Sequence, residues 1–124
     1  MELAKYFESI VAQDTCAVVI CDLQHRIIYM NPTAQKRYAK RGGAALIGKS
    51  IMDCHNEKSQ EMIQRAVDWF AESKDHNIIY TYHNEKENKD VYMVALRDCD
   101  GMLIGYYEKH AYRDRESCKP YDFA

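Results

Sequence analysis

Cys54 and His55 stand side by side in "IMDCHNEKSQEMI", just ahead of an amphipathic run. A thiol beside an imidazole suggests nucleophilic attack, metal ligation, or proton-dependent recognition of a ligand. Nucleophilic attack needs the base about 2.6–3.2 Å from the sulfur and a third group to orient it. Adjacent residues on a chain project in different directions, so the pair is not read as a catalytic dyad. Cys54 gains thiolate character if it lies at the start of the following helix, whose dipole favours an anion. A structural metal site asks for four ligands at workable spacings. Here His25, His76, His83 and His110 are scattered and no two of the five cysteines have CxxC spacing, so no metal is expected. Two roles remain for His55: a structural histidine bonded to a backbone carbonyl near the helix start, or a polar reader of a ligand, titrating near neutrality. Asp53 and His83 are the only other titratable groups nameable for catalysis in a cavity, and no enzyme is expected.

The elements that must position these residues come from a chain of 124 residues, 47% hydrophobic and 29% charged. That length supports one domain burying roughly two thirds of its unfolded surface, without help from disulfides or metals. A formal charge of −2 argues against a nucleic-acid partner, which needs a surplus of Lys and Arg. No stretch approaches the roughly 20 apolar residues of a membrane span, and "MELAKYFESIVAQ" lacks the features of a signal peptide. An odd number of cysteines fits no disulfide framework. A cytoplasmic location is the expectation, without a membrane partner.

Leu3, Phe7, Ile10 and Val11 fall at helical offsets, which predicts an amphipathic helix over residues 1–13. Its stripe either covers the domain's own sheet or pairs with the same helix of a second subunit. "TCAVVICD" and "RIIYMN" read as a hairpin across Leu23, Gln24 and His25, with Asp22 bonding its downstream backbone. Asn31 caps a helix opened by Pro32, which ends at Gly42 and Gly43; with only Ala34 and Tyr38 apolar, it reads as a surface helix. Ser50 and Asp53 have capping-box spacing, and Asn56 caps a long helix from Glu57 to about Ser73. That helix carries a buried stripe of Ile63, Ala66, Val67 and Phe70, widened by Met62 and Trp69. Then "NIIYTYHN", "DVYMVALRD" and "MLIGYYEKHAY" read as three consecutive antiparallel strands, the last two joined at "DCDG". Residues 113–124 read as a flexible tail.

The order of helix, two strands, several helices and three strands resembles the PAS family of sensor domains. The likeness is carried by "VVICDLQHRIIYMNPTAQKRYAKR", by "LIGKS" before the long helix, and by "VYMVALRDCDGMLIGYYE", and covers residues 14–112. It implies an α+β fold: a five-stranded antiparallel sheet in the order 2-1-5-4-3 with the helices on one face. "DCHNEKS" is similar to a segment of small stand-alone bacterial PAS proteins, which carry a Cys-His pair just before the long helix. Asn56 and Glu57 stand where a proline is expected.

The resemblance further implies a pocket between sheet and long helix. Met52, Cys54, His55, Ile63, Val67, Tyr80, Tyr82, Met93 and Tyr107 are the candidates to line it, most of them apolar with a few polar groups, as ligand pockets are. A small metabolite is the expected occupant. Some relatives ligate haem through a histidine on the long helix; Glu57–Ser73 has none, and His55 stands just ahead of it. A flavin adduct is disfavoured, because Ile51 stands where the light-sensing branch has its cysteine. The implied function is a sensor or regulatory module acting through a homodimer, built on Leu3, Phe7, Ile10 and Val11, or through a separate effector. The rival is a ligand-free dimerisation domain.

Overall fold

Residues 2–124 are described by a computed structural model. The first helix, α1 (Ala4–Ala12), is amphipathic, yet none of its residues is buried. Leu3, Phe7 and Ile10 are 51%, 60% and 68% exposed, so the stripe does not cover the domain's own sheet.

Strands β1 (Val19–Asp22) and β2 (Ile27–Met30) form the expected hairpin. Asp22 Oδ1 accepts from the amides of Gln24 and Arg26, which closes the turn without a glycine, and His25 takes the positive φ instead. Asn31 and Pro32 then start α2 (Pro32–Arg37), the Asn31 side chain accepting from the Ala34 amide. The α-helix is shorter than the sequence suggests. It passes at Tyr38 into a 3-10 turn, Ala39–Arg41, which ends at Gly42 with φ 127°. Nor is it a surface element: Ala34 is fully buried and Tyr38 packs against the core. Two further 3-10 turns, Gly43–Leu46 and Ile51–Cys54, lead to α3 (Glu57–Glu72). Ser50 and Asn56 cap the second turn and α3, accepting from Met52 and Ser59.

The last third of the chain supplies β3 (Ile78–Asn84), β4 (Lys89–Arg97) and β5 (Leu103–Tyr112). All pairings are antiparallel and the order is β2-β1-β5-β4-β3. β5 thus lies centrally between β1 and β4, its Tyr106 opposite both Cys21 and Ala95. Gly105 permits that close pairing, since a Cβ there would lie 2.2 Å from the Cys21 carbonyl oxygen. The core joins Cys21, Ile27, Met30, Ala34, Leu46, Met93 and Tyr106 to Ala66, Val67 and Phe70 of α3. Met62 does not widen the buried stripe of α3: it is 51% exposed.

The two ends of α3 are held differently. Its last turn carries no basic residue, and of its terminal carbonyls that of Trp69 is met by His76 Nδ1 at 2.7 Å. Arg97 of β4 also binds this end, its Nη2 donating to the carbonyls of Phe70, Ser73 and His76 at 2.7–3.1 Å. At the other end, Gln60 Nε2 donates to the carbonyls of Met52 and His55. Residues 113–124 are exposed and carry no regular structure.

Candidate functional site

α3 packs most tightly over its C-terminal half. Ala66, Val67 and Phe70 are buried, while Ser59 and Ile63 wall a cavity of about 660 Å³. A more open groove of about 470 Å³ runs between α3 and β3. Groove and cavity share His55, Ser59, Ile63, Tyr82, Met93 and Glu108, so the groove forms a mouth to the interior. The cavity's size falls in the range of about 300–1,000 Å³ typical of small-molecule sites.

Alternation along the strands sorts the wall. In β4 and β5, Met93 lies opposite Glu108 and Val91 opposite His110, so Tyr106, Glu108 and His110 share the helix-facing side and Tyr107 the other. Val19, Cys21, Ile27, Met30, Leu46 and Ile51 give the cavity its apolar lining, and Arg37, Tyr38, Arg41, Tyr82, Glu108 and His110 its polar groups.

The polar groups differ in how far they are already satisfied. Arg37 donates from Nη1 and Nη2 to the two oxygens of Glu87 at 2.9 and 2.7 Å, and Lys89 Nζ lies 3.2 Å from the same carboxylate. With the Arg37 hydrogen bonds as the largest cause, the Glu87 pKa is held down at about 2. Glu108 is raised by burial, against the lowering fields of His55, Lys89 and Arg37. His110 Nε2 approaches Glu108 Oε1 at 3.3 Å. Burial first, and then the charges of Lys89 and Arg37, push the His110 pKa down to about 4. The imidazole is therefore neutral near pH 7, and its contact with Glu108 is not an ion pair.

His55 follows the short 3-10 turn with its Nδ1 2.8 Å from the Ile51 carbonyl oxygen. A carbonyl only accepts, so Nδ1 carries a proton and donates it. No hydrogen bond to Nε2 is formed among the described residues. The structural role expected for His55 is thus present, at a residue that also walls both the groove and the cavity. Cys54 is exposed and lines the cavity.

Of the other residues named from sequence, Ile63, Tyr82 and Met93 wall both volumes, and Tyr80 walls the groove alone. Met52, Val67 and Tyr107 lie outside both walls. Met52 sits in the 3-10 turn, Val67 in the packed core, and Tyr107 on the far face of the sheet opposite Ile20 and Val94. Arg37, Tyr38, Arg41, Glu108 and His110 were not among the sequence candidates.

The remaining histidines are engaged elsewhere. His25 Nε2 donates to Gln64 Oε1 and its Nδ1 accepts from the Tyr106 hydroxyl, both at 2.8 Å, tying the β1–β2 turn to α3 and β5. His76 stacks on Trp69 at 4.0 Å, and His83 pairs with Asp90 at 2.8 Å. Asp53 is exposed, and neither it nor His83 reaches the cavity wall. Among the described residues no three His, Cys, Asp or Glu side chains come together to hold a metal ion.

A sheet of order 2-1-5-4-3 with its helices over one face and a cavity beneath the longest of them agrees with a sequence-family comparison. The family model described as "PAS fold" matches residues 11–109. The chain belongs to the PAS family. Members of this family are in general sensory or regulatory rather than catalytic modules. Among curated protein sequences there is no match.

Several solved structures share the PAS fold. The PAS domain of a Colwellia psychrerythraea protein is 16% identical, with 90% of this chain and 98% of that one covered and a TM-score of 0.65. A sensory box sensor histidine kinase from Vibrio cholerae is 15% identical, covering 87% and 89%, with a TM-score of 0.57. The Aer2 receptor of Vibrio cholerae, described as a dual PAS-heme oxygen sensor, is 16% identical, covering 77% and 91%, with a TM-score of 0.55. At these identities the likeness is one of fold. No helix among the described residues is long and apolar enough to cross a membrane.

Proposed function

We propose that this PAS domain is a sensor or regulatory module that takes a small molecule into the cavity beneath α3 and reports its occupancy through a second copy of itself or a separate effector protein. The observation that carries this reading is the cavity: about 660 Å³, lined by apolar side chains and a few polar groups, with a mouth between α3 and β3. A ligand acts by favouring one of two packings of α3 against the sheet, and it shifts them only by its differential affinity. The exposed stripe Leu3, Phe7 and Ile10 of α1, with half-buried Val11 at its end, supports a homodimer. All five cysteines are free, which fits a reducing, cytoplasmic setting.

Native mass spectrometry of the full chain tests this reading. Extra mass on the folded protein that disappears in Ile63→Trp, where a larger ring fills the cavity, is the expected result. A wild-type chain that carries no extra mass and gains none from a mixture of metabolites reduces the domain to its rival, a ligand-free dimerisation module.

One observation favours a second reading, haem. His55 Nδ1 is bonded to the Ile51 carbonyl, the arrangement that fixes a histidine tautomer with Nε2 free to ligate iron. The apolar lining and the cationic Arg41 suit a porphyrin and its carboxylates. Addition of hemin gives a sharp visible absorption band that His55→Ala abolishes if this reading holds; a featureless spectrum removes it.

A further inference from the structure

The chemistry of the occupant can be narrowed from the groups that face it, granted the small-molecule reading above. Some polar groups at the cavity are already partnered, while the buried Nδ1 of His110 has no hydrogen-bond partner among the described residues. Arg37 is held by both oxygens of Glu87, and His55 Nδ1 by Ile51. Glu108 is different. It stands on the central strand β5 opposite Met93 and lies in the wall of both groove and cavity. Among the described residues no amide, hydroxyl or guanidinium donates to it, and its one close polar neighbour is His110 Nε2 at 3.3 Å. A carboxyl group offers about four lone-pair positions, so most of its accepting capacity is turned toward the open space.

The charges around that space exclude two classes of partner for Glu108. A ligand carboxylate placed against it meets a like charge. A cation must pass Lys58 and Arg65 at the groove and then share the cavity with Arg37 and Arg41. With Arg37 already neutralised by Glu87, the three remaining cationic side chains against one carboxylate still make that route unfavourable. A neutral donor meets neither obstacle, and it satisfies Glu108 in either protonation state, since the carbonyl oxygen of a protonated carboxyl still accepts. Burial raises the Glu108 pKa, which lessens the demand for a counter-charge further. Beside Glu108, the side chains of Ile63, Met93 and Tyr106 offer apolar and aromatic contact to a flat body.

We infer that the cavity selects an uncharged heteroaromatic molecule that presents an N–H donor to Glu108 and lays an apolar body between Ile63 and Met93. A matched pair of probes tests this directly: indole, and benzothiophene, which has nearly the same shape but no donor. A hydrogen bond to a charged or strongly polar group predicts that wild-type protein binds indole about tenfold more tightly than benzothiophene. Glu108→Gln, whose amide oxygen still accepts, keeps a preference for indole. In Glu108→Leu the preference falls to within about twofold while benzothiophene still binds.

Dissociation constants from calorimetry, with chemical-shift changes at the Met93 methyl to locate the probe, read both effects. Equal affinity of wild type for the two probes, both located at Met93, overturns the donor inference and leaves the cavity as a binding site. The same holds if discrimination survives in Glu108→Leu. Failure of both probes to bind at millimolar concentration overturns the inference together with the reading on which it rests.

Discussion

Replacing Asn31 tests whether one buried amide ties α1, β1 and α2 together. The residue is fully buried. Its Oδ1 accepts from the amides of Val18 and Ala34, both at 2.9 Å, and its Nδ2 donates to the carbonyls of Val11 and Cys16 at 3.0 and 2.9 Å. Asn31→Ala removes the helix cap, a loss of about 1 kcal/mol. It also leaves the Val18 amide and two carbonyls without their partner, each costing about 1–3 kcal/mol where water does not reach. Val11 is only half-buried, so water recovers part of its share and the expected total is about 3–4 kcal/mol. With a urea slope of about 1.5–2 kcal/mol/M, the unfolding midpoint falls by about 2 M. Asn31→Asp separates capping from tying. Aspartate caps as well as asparagine, so a residue that only caps tolerates it. A residue that also donates to two carbonyls does not, because the carboxylate cannot donate and faces their oxygens. The expected loss for Asp at pH 7 is about 2 kcal/mol or more. A midpoint shift under about 0.5 M for Ala, or an Asp variant as stable as wild type, refutes the reasoning.

Arg97→Lys does not substitute for Arg97, because one ammonium cannot span the carbonyls of Phe70, Ser73 and His76 together with the Asn77 side chain. The expected loss is about 1–3 kcal/mol in chemical denaturation, with hydrogen exchange at the last turn of α3 rising first. Gly105→Ala sets a Cβ 2.2 Å from the Cys21 carbonyl oxygen, so β1 must separate from β5. Loss of more than about 2 kcal/mol, or of soluble folded protein by circular dichroism, is expected. His110 has a folded pKa of about 4, below its ordinary 6.5. A depressed folded value stabilises above the unfolded pKa and is lost as pH falls through the folded one, so acidification from pH 6.5 to 4 costs wild type up to about 3 kcal/mol. His110→Gln flattens that limb in urea titrations. Comparing the two chains removes the opposing contribution of half-exposed Glu108.

What the sequence discloses and what it hides divide along physical lines. Elements set by local chemistry are legible: Asn31-Pro32 and Asn56 as caps, the Asp22 turn, and the change to strand periodicity after Asn77. The long helix is read to within one residue of its end at Glu72. The contents of the cavity wall depend instead on which face of a strand points inward. "LIGYYEKHAY" is apolar or aromatic on both faces through Tyr107, so nothing local separates Tyr106 from Tyr107. Once Gly105 and the pairing with Cys21 fix the side, Glu108 and His110 follow at steps of two. Arg37, Tyr38 and Arg41 escape for another reason. A helix with two apolar residues looks like a surface helix, and only its seat against the sheet makes its long polar side chains wall a cavity. Arg97 is invisible as a helix cap because its partners lie 21–27 residues away.

The persistence of a cavity in a chain this short follows from how α3 is held. Protein interiors ordinarily close such spaces, since atoms lining a void forfeit contact energy. Here the C-terminal half of α3 is packed through Ala66, Val67 and Phe70 and fastened by Arg97. The N-terminal end is fastened to the preceding 3-10 turn by Gln60 and capped by Asn56, not packed onto the sheet. Between those attachments His25 bridges Gln64 to Tyr106 with one hydrogen bond on each side. That polar strut spans from the helix to β5 at the level of the cavity, and closer approach of α3 to the strand strains both bonds. The same strut leads directly from the cavity wall at Tyr106 to the β1–β2 turn. Any movement of α3 that accompanies an occupant therefore acts on that turn, and along β2 on Met30 and the Asn31 network that holds the last turn of α1.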